Sequence, residues 1–320
     1  MSFRRVICRA AGLLLAAAAA SAMAADWPTR PVRLVVPYAV GGGTDLVARM
    51  VGPKLSEALK QPFIIENRVG ANGAIAVEHV VKSPADGYTV LFDSLSNVIT
   101  PIISTVSYDP GRDLQPVTQL LSQAFAVVAT PKLPVKNLRD VVAYSMSQPN
   151  GLNAAVPGAA TRLAAELFKL TTNAKLTFIP YKGGGPATLS LMSGETDIGF
   201  MDVPSVATQI TSGRIKALAV TTERRVKLVP DVPTTAEAGM PEYKVDSWLG
   251  VFVPTGTPAD IVARLNSEVN AALASADIAA KIVQLGGEAS RTSVAEFTKL
   301  HRSEIARWKD VVQRGNVKVE

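Results

Sequence analysis

Short apolar runs alternate with amphipathic segments along almost the whole chain. Val32–Val36 is a β-branched run that Pro37 closes. Between Leu46 and Leu59, apolar residues recur at i, i+3 and i+4, which is the spacing of an amphipathic helix. The same patterns predict strands at 63–65, 88–92, 125–129, 151–155, 176–180, 197–200, 217–220 and 247–254, and helices at 74–81, 135–148, 161–170, 186–193, 204–212, 258–274 and 294–315. This succession is typical of an α/β protein in which helices cover both faces of a parallel sheet.

Three of the predicted strands end in a glycine-containing turn that leads into a helix. These strand–turn–helix units occupy residues 36–45, 155–161 and 180–186. In open α/β sheets, ligands bind just outside the carboxyl ends of the strands. The sequence therefore predicts that these turns contribute to a ligand site.

The first of these turns is the strongest local indication of function. Gly41, Gly42 and Gly43 allow backbone N–H groups to approach a ligand closely, and a helix beginning at Thr44 or Asp45 presents further N–H groups. That arrangement predicts an anion site. The glycine spacing matches neither the phosphate-binding loop nor the dinucleotide-binding motif. The alternative is an ordinary turn in which Thr44 or Asp45 caps the helix.

Polar residues that follow other strands are further candidates. Tyr181 and Lys182 either contact a ligand or form a packed ring beside a solvated amine. Asp202 would repel an anion, so it more plausibly holds an amine or an interdomain hydrogen bond. Short side chains that either donate to a carboxylate or simply make a loop polar follow the strand ending at Phe92; they are Ser94, Ser96 and Asn97.

The N-terminus has the pattern of a secretory signal peptide. Arg4, Arg5 and Arg9 precede an apolar run at residues 10–20, and an A-x-A site ends at Ala24. The apolar run is too short for a membrane-spanning helix, which needs roughly 20 residues. We expect residues 1–24 to be removed after export.

Composition narrows the function classes. The single cysteine, Cys8, lies in the predicted signal peptide, so the mature chain would have no thiolate nucleophile, disulfide or cysteine-ligated metal. The two histidines, His79 and His301, lie in helical patterns where packing or surface positions are expected. Cleavage lowers the formal net charge from +6 to about +3, and basic residues are mixed with acidic ones, which argues against nucleic-acid binding. No hydrolase or metalloprotease motif stands in a suitable context, so we expect neither catalysis nor a cofactor.

A series of short motifs stands in an order that is specific to one family. The motifs occupy residues 27–38 (WPTRPVRLVVPY), 41–45 (GGGTD), 66–68, 86–89, 108–110, 165–168, 180–183, 217–221, 230–234, 237–239 and 256–258. The sequence resembles the periplasmic substrate-binding proteins of tripartite tricarboxylate transporters, also called the Bug family. The resemblance extends from Trp27 to about Val317.

The resemblance implies a type II periplasmic-binding-protein fold, with two α/β domains around a cleft and two crossing strands between them. Domain 1 is expected at residues 25–127 plus 252–320, and domain 2 at residues 128–251. The resemblance also implies a periplasmic monomer that binds a small organic carboxylate and delivers it to one large and one small integral membrane subunit.

Position by position, the resemblance also implies a ligand site. The predicted ligand-binding residues are Tyr38, Gly41, Gly42, Gly43, Thr44, Asp45, Ser94, Ser96, Asn97, Pro157, Gly158, Thr161, Tyr181, Lys182, Gly183 and Asp202. Departures from the family pattern occur where Ser or Gly is often found; they are Ala154, Val156 and Ala160. Asp93 replaces a usual Gly, and Phe200-Met201-Asp202 replaces Phe-Asp-Asn. We therefore expect an intact carboxylate anchor opposite a more apolar far wall, and we assign no particular carboxylate.

Two other functions remain compatible with the sequence. A sensor would bind the same ligand and dock on a membrane receptor instead of a carrier. A secreted α/β hydrolase would use the same turns as an oxyanion site, although the lack of a nucleophile motif argues against it.

Overall fold

The computed structural model describes residues 27–181 and 183–315. The predicted signal peptide and Lys182 lie outside the described residues. The strands are β1 Val32–Val36, β2 Phe63–Asn67, β3 Thr89–Ser94, β4 Leu114–Ala129, β5 Leu152–Val156, β6 Leu176–Pro180, β7 Ile198–Asp202, β8 Lys216–Val220, β9 Asp246–Pro254 and β10 Gly287–Ala289. The α-helices are α1 Gly43–Leu59, α2 Ala74–Val81, α3 Ser96–Ile103, α4 Pro110–Asp113, α5 Leu138–Ser147, α6 Ala159–Thr172, α7 Gly184–Ser193, α8 Val203–Thr211, α9 Ala259–Leu273, α10 Ala276–Gln284 and α11 Val294–Gly315.

The strands form two mainly parallel groups that share one long strand. In the first group β2, β1 and β3 are parallel, and β9 adds antiparallel to β3. In the second group β6, β5 and β7 are parallel, and β7 is antiparallel to β4. Helices cover both groups, as the alternating sequence pattern predicts.

The long strand β4 changes partners partway along its length. Residues 114–124 pair with β9, and residues 121–123 also pair with β10. Residues 125–129 pair with β7 and β8. Together with β9, strand β4 therefore joins two α/β units, as expected of crossing strands. The expected domain boundaries near residues 127 and 251 stay a prediction.

Several elements are missing from the sequence prediction. The strand predicted at 125–129 begins already at Leu114, and α3, α4, α10 and β10 were not predicted. Pro116 interrupts the apolar pattern of β4, and Pro101 lies inside α3. Pairing with β9 and packing against α11 supply what the local sequence of these segments lacks.

The last helix ties the two units together. Helix α11 packs against α3 of the first unit and α6 of the second. Its Phe297 and Trp308 are fully buried, and the Phe297 ring meets Trp248 of β9 edge-on with 5.5 Å between centroids. Aromatic burial of this kind contributes heavily to core stability. Within residues 27–181 and 183–315, no helix has both the length and the apolar character that crossing a bilayer requires.

Gly250 of β9 lies directly against the Phe297 ring of this aromatic cluster. A Cβ added at Gly250 would lie 2.2 Å from Cζ of Phe297, so the ring must move. We expect Gly250→Ala to lower the free energy of unfolding by about 1–3 kcal/mol, measured by urea denaturation. The control is Gly185→Ala in the first turn of α7, where an added Cβ meets nothing within 4 Å. If both variants unfold like the wild type, the packing of α11 on β9 is looser than the structure indicates.

Candidate functional site

The strand register brings the loops of both units to the crossing strands. Ser94, at the end of β3, pairs with Leu249 of β9. Asp202, at the end of β7, pairs with Phe125 of β4. Because β1 and β2 run parallel to β3, and β5 and β6 parallel to β7, the carboxyl ends of all six strands point toward the crossing. This is where ligands bind in sheets of this kind.

A cavity of about 360 Å³ lies at the carboxyl ends of β1 and β3. Its wall combines the loops after these strands with residues of the two crossing strands. The lining residues are Tyr38, Gly42, Gly43, Thr44, Val47, Ser94, Leu121, Gln123, Ser247, Leu249 and Leu285. Four predicted ligand-binding residues of the loop after β1 and one, Ser94, at the end of β3 thus come together.

Two backbone donors of the glycine loop remain available to a ligand. The N–H of Gly41, a residue with φ +85°, donates to Oδ2 of Asp45 at 2.9 Å, and the N–H of Gly42 donates to the carbonyl of Ala39 at 3.2 Å. The N–H groups of Gly43 and Thr44 belong to the first turn of α1, where no preceding helical carbonyl exists to accept them. Both residues line the cavity, so the free N–H groups of the predicted anion site are fewer than the sequence predicts.

The Asp45 side chain holds the glycine loop in place through hydrogen bonds. Its side chain is buried; Oδ2 accepts from Arg49 at 2.8 Å, and Oδ1 accepts from Asn67 at 2.8 Å. The bond from Arg49, with those from Gly41 and Asn67, lowers the pKa of Asp45 to about 2. The carboxylate therefore stays ionised with its charge neutralised by Arg49. These contacts suit a residue that positions the anion site, and its direct contact with a ligand stays a prediction.

A cluster of hydroxyl groups surrounds a second buried carboxyl beside the cavity. The Tyr38 hydroxyl donates to Oδ1 of Asp93 at 3.0 Å and also contacts the hydroxyls of Ser94, at 2.5 Å, and Ser96. Oδ1 of Asp93 accepts from the Ser94 N–H at 2.7 Å as well. Burial raises the pKa of the Tyr38 phenol, so it remains a neutral donor.

The Asp93 carboxyl is an unusual group to find next to an anion site. It is fully buried, and within the part of the chain that the structure describes its Oδ2 has no hydrogen-bond partner. Burial raises the pKa of Asp93 to about 7, although the bonds from Ser94, Tyr38 and Ser96 act in the opposite direction. The Asp93 carboxyl therefore changes between its protonated and ionised forms near neutral pH.

The predicted residues of the second unit do not line this cavity. Those that the structure describes are Pro157, Gly158, Thr161, Tyr181, Gly183 and Asp202. The Thr161 hydroxyl accepts from the Gly158 N–H at 3.0 Å and so caps its own helix, and the Tyr181 hydroxyl donates to Glu195 at 3.2 Å. Lys182 lies outside the described residues. A role for these loops in ligand binding stays a prediction that requires the two units to approach each other.

Sequence reasoning missed part of the cavity and misjudged the direction of one side chain. Asn97 is buried away from the cavity, with Nδ2 donating to the Ser94 carbonyl and Oδ1 contacting Nε2 of His301, each at 3.0 Å. The crossing-strand residues Gln123 and Ser247 line the cavity but were not predicted. Alternation with inward-facing neighbours was the available signal. Ser247 stood in a predicted strand, whereas the strand that contains Gln123 was predicted to begin only at residue 125.

Comparison with known proteins places the chain among solute receptors. Residues 47–317 match the family described as tripartite tricarboxylate transporter family receptor. The chain is 34% identical over 318 residues to protein BugT of Bordetella pertussis, covering 97% of each chain.

Solved structures support the same assignment. The chain resembles Rpa4515 of Rhodopseudomonas palustris, solved with adipate, at 37% identity and a TM-score of 0.73 over 91% of this chain and 99% of that one. It also resembles MatC of the same organism, solved with bound malate, at 33% identity and a TM-score of 0.71 over 89% and 100% of the two chains. These similarities confirm the predicted fold class and the predicted family.

The titration of Asp93 predicts a pH dependence of stability. Its folded-state pKa of about 7 lies above the ordinary value of 3.8. The raised pKa stabilises the folded state most below about pH 4, and this stabilisation is lost as the pH rises through 7. We expect the free energy of unfolding of Asp93→Asn to change less with pH than that of the wild type. Because each unit of pKa shift corresponds to about 1.4 kcal/mol, the variant should be the more stable protein above pH 7.

Urea denaturation of both proteins at about pH 4.5, 6 and 8 measures this difference. Asp260→Asn, which changes an exposed carboxyl at the start of α9, serves as the control. Parallel profiles for wild type and Asp93→Asn would contradict the assignment of the titrating group to Asp93.

Proposed function

The chain belongs to the tripartite tricarboxylate transporter receptor family, and on that premise we propose that it binds a small organic carboxylate in the cavity at the start of α1. The observation that carries this proposal is the pair of first-turn N–H groups, of Gly43 and Thr44, that open into a cavity. Adipate and malate, with which Rpa4515 and MatC were solved, belong to the same chemical class.

One carboxylate group of the ligand would occupy the anchor at α1. The Gly43 and Thr44 N–H groups point along the helix axis, where the positive end of the helix dipole adds to their attraction. Tyr38 and Ser94 line the same cavity, and their hydroxyls can donate to the same oxygens once they turn away from Asp93 and Ser96. Hydrogen bonds to an ionised acceptor are roughly twice as strong as neutral ones, so this small set of donors suffices for an anchor.

The rest of the ligand would extend along the crossing strands. Leu121, Leu249 and Leu285 give this part of the wall an apolar surface, and Gln123 and Ser247 offer isolated hydrogen bonds. Such a wall suits a carbon chain or a lightly substituted one. Approach of the second unit would then close the loops at residues 157–161 and 181–183 over the ligand.

The protonation of Asp93 would be linked to ligand binding. An ionised Asp93 holds the Tyr38 and Ser96 hydroxyls as donors and repels a second negative charge nearby. A protonated Asp93 does neither, so carboxylate binding favours the protonated form. By linkage, the ligand raises the pKa of Asp93 and binds with uptake of a proton.

We also propose a cellular role, which membership of the family supports. The proposed protein is periplasmic after cleavage near Ala24, acts as a monomer, and delivers its ligand to a carrier of one large and one small integral subunit. It has no catalytic step, cofactor or nucleic-acid partner. The description of the family as a transporter receptor supports this role.

Gly42 tests the anchor directly. A valine at this position would crowd the approach to the Gly43 and Thr44 N–H groups, while its own Cβ meets only Ala39 and Tyr38 atoms at 3.3 Å and 3.9 Å. We expect Gly42→Val to weaken the binding of adipate, malate or another carboxylate found by thermal-shift screening by about tenfold or more, since a charge-assisted bond contributes about 1.5–3 kcal/mol. Isothermal titration calorimetry measures the affinity.

The matched control is Ala39→Val, which places the same side chain in the same loop at an exposed position outside the cavity. It should bind like the wild type. Equal affinities for Gly42→Val and Ala39→Val would remove the loop from the site. A screen in which amines or sugars stabilise the protein and no carboxylate does would overturn the proposed function.

The proton linkage predicts that carboxylate affinity falls as the pH rises from about 6 to about 8.5, by up to about tenfold per unit of ligand-induced pKa shift. The ligand stays ionised across this range, so the change reports on the protein. Asp93→Asn, which carries no titrating proton, should bind with an affinity that changes little with pH. A wild-type affinity that is flat across this range would show that Asp93 does not sense the ligand.

A further inference from the structure

Two polar side chains stand at the end of the carboxylate cavity that lies farthest from the anchor. Gln123 of β4 and Ser247 of β9 are register partners, and both line the cavity; we call them the distal pair. Ser94, at the anchor end, is paired with Leu249, two positions from Ser247 on the same strand. Two positions of a strand span about 6.5 Å, so the distal pair lies about that far from the Ser94 end of the cavity.

A backbone carbonyl fixes the orientation of the Gln123 amide. Its Nε2 donates to the Leu285 carbonyl at 2.9 Å, which requires the amide nitrogen on that side. Within the described residues Oε1 accepts no hydrogen bond, and it keeps surface that solvent can reach because the side chain is only partly buried. A ligand in the cavity therefore meets the amide oxygen of Gln123 as an acceptor.

Asp202 of the second unit borders the same end of the cavity. It is paired with Phe125, which lies two positions beyond Gln123 on β4 and therefore on the same face of that strand. The segment after Asp202 also touches the cavity wall. A Cβ added at Gly286, which directly follows a leucine of the wall, would lie 2.3 Å from Cγ of Pro204.

The Asp202 side chain is not used by its own helix. Aspartate is a preferred residue at the position before a helix, where its carboxylate accepts N–H groups of the first turn. Asp202 stands at that position before α8, but its side chain makes no such bond. Desolvation raises the pKa of Asp202 although solvent reaches the side chain, which is the behaviour of a carboxyl group in a recess. No charged side chain within residues 27–181 and 183–315 contributes to that shift.

The two ends of the cavity thus have opposite chemical preferences. The anchor at the start of α1 donates hydrogen bonds, whereas Oε1 of Gln123 and the carboxylate of Asp202 accept them. Two acceptors, one of them charged, favour a group that carries N–H donors and a positive charge. A second carboxylate at this end would meet Asp202 as a like charge, which is costly.

The length of the cavity limits the separation of the two charged groups of a ligand. An extended chain spans about 3.3–3.6 Å for every three bonds, so about five or six bonds connect a carboxyl carbon at the anchor with a nitrogen at the distal pair. Leu121 and Leu249, which are also register partners, supply an apolar wall for the carbon atoms between them.

We propose that the ligand is an ω-amino carboxylate of about five or six carbon atoms, whose carboxylate binds at the start of α1 and whose ammonium group donates to Gln123 and Asp202. This assignment rests on the proposed carboxylate site and adds the second charged group of its ligand. Because Asp202 belongs to the second unit and the anchor to the first, such a ligand connects the two units through its opposite ends.

Calorimetric titration of the whole mature protein with ligands of equal carbon number tests the assignment. The ligands are 6-aminohexanoate, 6-hydroxyhexanoate, hexanoate, adipate and 2-aminohexanoate, the last of which has the ammonium group beside the carboxylate. We expect 6-aminohexanoate to bind at least about tenfold more tightly than each of the other four.

Asp202→Asn removes the charge at the far end of the cavity without a change in size. It should weaken the binding of 6-aminohexanoate by about tenfold and leave the binding of hexanoate unchanged, a difference that a general loss of folding does not produce. Gln123→Met, which removes the acceptor oxygen, should change the two affinities in the same way. The control is Asp231→Asn, an exposed carboxyl elsewhere in the second unit, which should bind both ligands like the wild type.

Equal affinities for 6-aminohexanoate and hexanoate would overturn the assignment and leave the carboxylate anchor standing. A preference for 6-aminohexanoate that survives Asp202→Asn and Gln123→Met would also overturn it. So would tighter binding of adipate, and loss of that preference in Lys182→Gln would show which residue recognises the second carboxylate. If none of the five ligands binds, the assignment fails, whereas the proposed function fails only if the thermal-shift screen finds no carboxylate at all.

Discussion

The antiparallel pairing of β4 with β9 is the constraint on which the rest of the molecule depends. Its register sets Ser122 opposite Trp248 and Gln123 opposite Ser247 at the point where the chain crosses between the two units. Because β3 and β7 pair with the same two strands, the loops that follow them are brought to one place. The alternation of side chains along the pair then directs successive residues of each strand to opposite faces.

Two buried carboxyl groups near the cavity at the start of α1 show how the environment of a group decides its charge. Asp45 has Arg49 and two further donors, so its pKa falls to about 2 and its charge is neutralised locally. Asp93 has only neutral donors in a fully buried position, and its pKa rises to about 7. The first group stabilises the loop at every physiological pH, whereas the second makes the hydroxyl cluster around Tyr38 sensitive to pH.

Helix α11 packs against the crossing strands, with Phe297 edge-on to Trp248 of β9. Phe297 and Trp308 pack into the core, while Glu304 and Arg307 of the same helix line a second cavity, of about 530 Å³.

Much of this protein could be deduced from its sequence alone. The alternation of strands and helices and the motifs from Trp27 to the 256–258 segment determined the fold class, the family and the glycine loop, because periodicity and local turn chemistry are properties of neighbouring residues. The tertiary structure decided which N–H groups of that loop are free, that Asn97 turns toward His301, and that β4 begins at Leu114. It also decided that Asp93 is fully buried with one carboxyl oxygen that has no hydrogen-bond partner within the described residues. These facts depend on burial and on partners distant along the chain, which local sequence patterns do not contain.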